Sequence, residues 1–598
     1  MGTVTDHKGV FKIAAFSGYT GDKADALQRQ AESSGCPVLF GDYLAEMNLA
    51  WRALEVKDHP ELGYERPFLL HLGMAAKAIA ANKCKVVTNA GALNPKGLAE
   101  ACVAYVEGDN IIDRLPELAA AGETLGHLED ARPLSSWGLT PLTANAYVGG
   151  RGVRAALEAG ADIVISGRCT DASPVIGAAA WWHNWSWDQY DVLAGALLAG
   201  HCIECGAYVT GANSSGFKAI KDSYFNFAMG IAEIEADGTF VITKQPNENG
   251  FNGIVDIPQV TSQILYEIQN NVYLNPDVQG IIDDIKVEKV GKDRVRVTGV
   301  RGIAPPNTTK AAVCAVAGYQ AETSIFATGL DVQEKFDVYR LQIKTNLGEK
   351  ILPQFTMFDI TQYGVAAQDP QTEGEATAML RIVAQAPKIE AFGPYKNLLA
   401  LVHTEGLGHF PGFQNQQDTR LAEPKPYIEY WPGRVSVAHL PLTVGFVGSD
   451  EKITVPPVEG TTAVQPQADY DAKTALQPGE YGSTTRGPLG WIVHARSGDK
   501  GGNANVGFFV RHADEYPWLR SLLSKDTLRH LLAKEYTNNK IERVEFPGLL
   551  AVHFVIHDYL GKGVSSTARM DALAKSVAEY LRSKYVDLPD KYLARGKL

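Results

Sequence analysis

One pattern constrains the fold before anything else. Over residues 11–216, short apolar runs of strand length break off at loops rich in glycine, asparagine and serine, and each loop opens into a helical pattern. Residues 11–16 (FKIAAF) read as a buried strand, followed by Ser17-Gly-Tyr-Thr-Gly-Asp22 and an amphipathic helix over 23–33. Residues 37–40 are a second strand, ending at Gly41-Asp-Tyr43 ahead of a helix that carries Glu46 and Asn48; a third helical pattern covers 69–82. Residues 85–88 repeat the theme and end in Asn89-Ala-Gly-Ala-Leu-Asn-Pro95, before a helix expected over 96–106 and a further strand over 109–113. Repeated strand–helix units with apolar strands bury themselves as a parallel, Rossmann-like sheet covered by helices. Ligands gather where such strands stop, because side chains and unpaired backbone N–H groups converge there. The first loop lacks G-x-G-x-x-G spacing, so it reads as a glycine turn or a general anion site rather than a dinucleotide fingerprint.

The residues best able to do chemistry lie between 160 and 211. Gly160-Ala-Asp-Ile-Val-Ile-Ser166 has the composition of a buried parallel strand and breaks into the polar loop Arg168-Cys-Thr-Asp-Ala-Ser173. Farther on stands Gly200-His-Cys-Ile-Glu-Cys-Gly206. If the apolar run 192–198 is helical and continues, His201 and Cys205 share a face at i and i+4, with Glu204 beside them. Asn145 falls just before a helix at 150–159, where it either caps the helix or joins the rim. An Arg after a buried strand needs an anionic partner, and Asp171 can supply one to Arg168.

Between 113 and 140 periodicity fades, which reads as an excursion or a flap over the site. From 217 to about 344 the pattern turns toward strand (230–234, 239–243, 287–290, 294–300, 311–317), with a helix over 259–269. This suggests an α+β lobe within a first domain spanning 8–449, with sublobes 8–216 and 217–449. Residues 373–386 read as a helix. His403 and His409 lack ligand spacing and read as ordinary loop or core histidines. Residues 450–487, rich in Pro, Thr, Gly and Gln, read as a linker to a domain at 488–590. That last domain orders its elements ββαββα (strands 490–494, 506–511, 541–545 and 552–556; helices 518–535 and 570–585), which fits a small ferredoxin-like α+β sheet. Its Arg496-Ser-Gly-Asp-Lys-Gly-Gly-Asn503 segment reads as a loop whose amides, with Arg496 and Lys500, form an anion nest serving that module or meeting the first domain's rim.

A chain of 598 residues exceeds one core and implies several compact units. Its 56 Lys and Arg against 68 Asp and Glu give a net charge of −12, which argues against nucleic acid as partner and toward a small ligand. No apolar run reaches the ~20 residues of a membrane span. Residues 1–12 lack a secretory pattern, and seven dispersed cysteines suit a reducing compartment, so the expectation is a cytoplasmic homo-oligomer.

Several stretches resemble the acyclic terpene utilisation family, in which an AtuA-type domain can be followed by a small ferredoxin-like AtuA-type domain. The resemblance rests on Phe16-Ser-Gly-Tyr-Thr-Gly-Asp22, Val87-Thr-Asn-Ala-Gly-Ala-Leu-Asn-Pro95, Ala144-Asn-Ala-Tyr147, residues 160–168, Gly200-His-Cys-Ile-Glu-Cys-Gly206, residues 237–244, Gln263-Ile-Leu-Tyr-Glu267 and residues 494–502. It implies a link to the breakdown of branched isoprenoid acids or of acyl groups carried as CoA thioesters, and it assigns no catalytic residue.

The leading expectation is a lyase or hydratase acting on a small carboxylic acid or acyl-CoA, with no cofactor and no metal. Glu204 is the expected base, and Asp171 positions Arg168. Ser17, Gly18, Asn89, Gly91, Asn145 and Arg168 would hold the carboxylate or the developing oxyanion, with Arg496 and Lys500 as further binding residues. A second version makes Cys205 a nucleophile with His201 as its base, for acyl transfer or hydrolysis. A metal on His201, Glu204 and Cys205 lacks a visible fourth ligand. The competitor from another class is a non-catalytic subunit that binds an acyl ligand or serves assembly.

Overall fold

Five apolar segments form the parallel centre of the fold, in the spatial order Phe11–Ser17, Val38–Gly41, Lys85–Ala92, Ile163–Gly167 and Ala104–Glu107. Alternate side chains point to opposite faces, as strand geometry requires. Ile13, Val38, Phe40, Val87 and Val164 enter one core, and Ala14, Phe16, Leu39, Val86 and Ile165 the other. Both faces are therefore covered, each buried Val, Ile or Phe contributing about 1.5–3 kcal/mol. The computed structural model describes residues 9–100, 104–246, 252–403, 410–474, 476–477 and 479–598. His409 and residues 101–103 of the expected 96–106 helix lie outside these.

Antiparallel strands extend both edges to a total of eleven. Ile231–Ile234, Phe240–Thr243, Arg294–Thr298 and Lys286–Gly291 continue outward from the first strand, and Leu442–Phe446 and Lys452–Val455 from the last. The strands expected between 230 and 300 thus join the first sheet, because short turns, such as that at Gly238 with φ +83°, fold them back as hairpins on its edge. The second sheet is built on the 21-residue strand Thr308–Thr328, flanked by Thr377–Ala386 and by Lys425–Ser436, with Thr143–Ala146 paired to its first half. Helix Val332–Ile351 covers it through Phe336, Tyr339, Ile343 and Leu347.

Several local expectations give way to tertiary pairing. Pro95–Ala99 is helical, but Ala104–Glu107 is a strand slotted between two others. Residues 109–113 supply a single bridge from Asn110 to Asn145 and then a 3₁₀ turn at Ile112–Arg114. Thr377–Ala386 is a strand, not a helix, since neighbours on both sides satisfy its backbone. The expected linker is stitched down: Gln465, Gln467 and Ala468 hydrogen-bond to Gln279, Val272 and Asn271, and Tyr470 to the Arg543 carbonyl.

The C-terminal domain has its own core around Val506, Phe508, Trp518, Leu528, Phe554 and Leu581. Its antiparallel strands run in the order His494–Lys500, Asn503–Phe509, Ala551–Ile556 and Ile541–Phe546. The expected nest is absent: residues 494–500 are strand, and the chain reverses at Gly501, whose φ of +60° suits glycine. Ser524 caps a new helix inside the expected 518–535 span, splitting it into Tyr516–Leu522 and Lys525–Leu532. Of the expected 570–585 helix only Val577–Arg582 is helical, and a short helix at Asp590–Leu593 follows. The fold class is α/β, with a second sheeted lobe and a small α+β ferredoxin-like domain.

Candidate active site

The C-terminal ends of the parallel strands and the end of helix Tyr190–Glu204 meet on one side of the first sheet. Gly18 lies so close to this helix end that a Cβ there would stand 2.4 Å from the carbonyl carbon of Cys205. Gly200 packs on Ala172, in the loop after Ile163–Gly167, where a Cβ would stand 2.9 Å from the Ala172 Cβ. The polar breaks and the His201–Cys205 segment therefore share one crevice. Its remaining wall comes from the C-terminal domain, whose first strand ends at Lys500.

At the centre, His201 and Glu204 are 1% and 2% exposed, and His201 Nδ1 lies 3.1 Å from Glu204 Oε1. The Tyr273 hydroxyl meets the same ring nitrogen at 3.2 Å, its ring edge-on to the imidazole. Burial alone would depress the imidazole, but Glu204 outweighs it and holds His201 above its ordinary value. Burial, with Asp171 nearby, raises Glu204 against the opposing pull of His201. The protonation of each group therefore depends on that of the other across this contact. Among the described residues, His201 Nε2 and Glu204 Oε2 are both buried without a hydrogen-bond partner.

Lys500 enters this cluster from the other domain. Its ammonium lies 3.0 Å from Glu267 and 3.7 Å from Asp171. Burial would raise Glu267, yet Lys500, Tyr266 and Lys575 bring it down to about 2. Glu267 also holds a left-handed φ of +55°, an uncommon conformation for a residue with a Cβ. Asp171, Glu204 and Glu267 each place one carboxylate oxygen within 4.8 Å of the others, a set able to hold a cation. Lys500 already brings a positive charge to two of the three.

The rim residues expected to hold ligand are mostly engaged in building the rim. The Ser17 hydroxyl donates to the Tyr19 carbonyl at 3.0 Å, and the Gly18 amide donates to Asp22 at 2.7 Å. Asn89 accepts from the Tyr43 amide at 2.9 Å and donates to Asp42 at 2.5 Å. Gly91 is glycine because a Cβ would stand 2.5 Å from the Ser166 carbonyl oxygen. Asn145 donates to Asp109, 2.8 Å away, and the same carboxylate accepts the Arg168 amide at 2.8 Å. Burial pushes Asp109 up to about 6. Arg168 donates to the Leu44 carbonyl at 2.7 Å and to Asp171 at 2.9 Å, with its guanidinium 4.0 Å from the centre of the Tyr147 ring. Asp171 pairs with Arg168, and the two brace the wall of the crevice.

Burial beside Glu204 and Glu267 pushes the Cys205 thiol well above its ordinary value, which keeps it protonated and weakly nucleophilic. His201 is turned to Glu204 and Tyr273 instead. Arg496 is buried at 3% exposure against Tyr208 and Tyr266.

Sequence reasoning missed Asp42, Glu267, Tyr273, Lys310 and Lys575. Lys310, from the second sheet, pairs with Glu46 at 2.7 Å and lies over the Tyr147 ring, adding a third wall. Glu267 ends one of the stretches that carry the family resemblance, the one signal that could have marked it. A surface depression of about 420 Å³ lined by Phe326, Tyr363, Glu373 and their neighbours lies on the second sheet and includes none of these groups.

The family model for acyclic terpene utilisation family protein AtuA matches residues 11–446, and that for the AtuA ferredoxin-like domain matches residues 487–587. No curated protein and no solved structure matches the chain. Among the described residues, no helix is long and apolar enough to cross a membrane.

Proposed function

Since the chain belongs to the acyclic terpene utilisation family, we propose that it is an enzyme of lyase or hydratase type, moving protons on a branched or isoprenoid-like carboxylic acid or acyl-CoA in the crevice between its domains. The observation that carries this reading is the His201–Glu204 pair. A carboxylate on Nδ1 fixes the ring and stabilises its charged form, which leaves Nε2 to take or return a proton. Sequence alone favoured Glu204 as the base; the contact at Nδ1 and the unpartnered Nε2 support His201 as the exchanging group with Glu204 as its partner. Lys500 places positive charge near this pair, the charge an enolate or carboxylate needs as it develops. The Cys205 reading loses support because its surroundings favour the thiol.

The test is a panel of branched unsaturated acids and their CoA thioesters, followed for hydration, elimination and solvent deuterium exchange. With a turned-over substrate in hand, Glu204→Gln should cut kcat by about 10²-fold or more while substrate affinity stays within a few-fold. Parental turnover in that variant would remove Glu204 and the pair from the mechanism.

A further inference from the structure

The C-terminal domain sends a second group of cations toward the crevice, and these are not ion-paired as Lys500 is. Arg496 lies with its guanidinium 4.1 Å from the centre of the Tyr266 ring and 4.6 Å from that of Tyr208. Its Nη1 donates to the Asn213 carbonyl at 3.1 Å, while Nη2 is buried and finds no acceptor among the described residues. The Lys575 ammonium shares the same two rings, at 5.2 Å from Tyr208 and 5.8 Å from Tyr266, and donates to the Tyr208 hydroxyl at 3.1 Å. Among the described residues, neither cation forms an ion pair with a carboxylate. The pair adjoins the proposed catalytic groups, since Lys575 helps hold Glu267 low and acts on Cys205, next to Glu204 in the chain.

Stacking on tyrosine rings stabilises the face of a guanidinium but satisfies none of its in-plane N–H donors. A buried, charged donor with no acceptor is rare in a folded protein and marks the place of an acceptor that belongs there. Arg with Lys, one planar and forked, the other a mobile point charge, is a donor set suited to oxyanions. The rings of Tyr208 and Tyr266 hold the two cations together despite their repulsion. Lys575 is half-buried, while Arg496 is buried.

We propose that Arg496 and Lys575 form an oxyanion-binding site that receives the carboxylate or phosphate of the ligand entering the crevice. This rests on the crevice being the ligand site, as proposed above, but its test reads binding rather than turnover.

The full chain is titrated calorimetrically with inorganic phosphate, 3-methylbutanoate and coenzyme A, alongside Lys575→Met, Arg496→Lys and Glu204→Gln. At least one probe should bind the parent, tenfold or more weakly to Lys575→Met and to Arg496→Lys, and with parental affinity to Glu204→Gln. Binding of phosphate and coenzyme A alone identifies a phosphate as the natural group; binding of the branched acid alone identifies a carboxylate. The proposal is overturned if none of the probes binds, the orphaned donor then serving an ordered water only, or if folded Lys575→Met binds as the parent does. Loss of the catalytic pair's role, with these affinities intact, would strike the proposed reaction and leave this site standing.

Discussion

Replacing Lys500 with methionine removes the ammonium that the C-terminal domain places beside Glu267 and Asp171 while keeping most of the aliphatic stem. Glu267 is held at about 2 against an ordinary 4.5, and at ~1.4 kcal/mol per pH unit that displacement is worth about 3 kcal/mol. Tyr266 and Lys575 share in it, and the Lys500 and Glu267 side chains are 31% and 17% exposed, so the part owed to Lys500 is about 2 kcal/mol. A carboxyl held below its unfolded value stabilises the fold above that value and loses its effect as pH falls through the folded one. The parent should therefore exceed Lys500→Met by about 2 kcal/mol at pH 7 in urea unfolding, and the gap should close between pH 4.5 and 2. Equal midpoints at pH 7, or a gap that does not narrow in acid, would refute the assignment of Lys500 as the group holding Glu267 ionised.

Gly18→Ala should destabilise the chain by about 1–3 kcal/mol, because the new Cβ meets backbone atoms of Cys205 and Gly206 at 2.4–2.7 Å that cannot rotate away. Thermal unfolding measures this, and Gly73→Ala, where a Cβ meets nothing within 4 Å and the backbone is helical, is the control for space. Cys205→Ser should leave turnover within a few-fold of the parent, and native Cys205 should resist iodoacetamide at pH 8, checked by mass spectrometry of the labelled peptide. His557 links the 113–140 excursion to the domain that carries Lys500: Glu129 lies 3.1 Å from its Nδ1, Glu542 3.2 Å from its Nε2, and Lys540 opposes both acids from nearby. Glu129 raises this imidazole, so its contribution is full below about pH 6.5 and is lost as pH rises through the folded value. Limited proteolysis of the excursion should accelerate with rising alkalinity in the parent and show no such dependence in His557→Gln.

Four of the five parallel strands were legible because each announces itself twice, by a short apolar run and by the glycine or asparagine that ends it, whereas Ala104–Glu107 was hidden inside an apparent helix and is extended only because strands flank it on both sides. Thr377–Ala386 was not legible either, because its residues suit a helix locally and only two flanking strands make it extended. The crevice was legible as a place, and His201, Glu204, Asp171 and Lys500 do come together there. Roles were harder to read. Asn89 and Arg168 look like ligand-holding groups at the end of a strand, yet their partners are the Tyr43 amide and the Leu44 carbonyl, 46 and 124 residues away. Glu267 meets Lys500 across 233 residues, a distance over which no local pattern can signal a pair.

The stretch that composition marks as a loose tether has a mechanical consequence. Gln467 exchanges two hydrogen bonds with Val272, beside Tyr273, and Asp469 and Tyr470 are bonded to Arg543 in the C-terminal sheet. The two bodies are sewn along a seam that runs past the His201 ring itself, so hinging them apart would drag Tyr273 off that ring. The seam acts as a fixed hem, and any rigid-body opening of the crevice has first to break these hydrogen bonds.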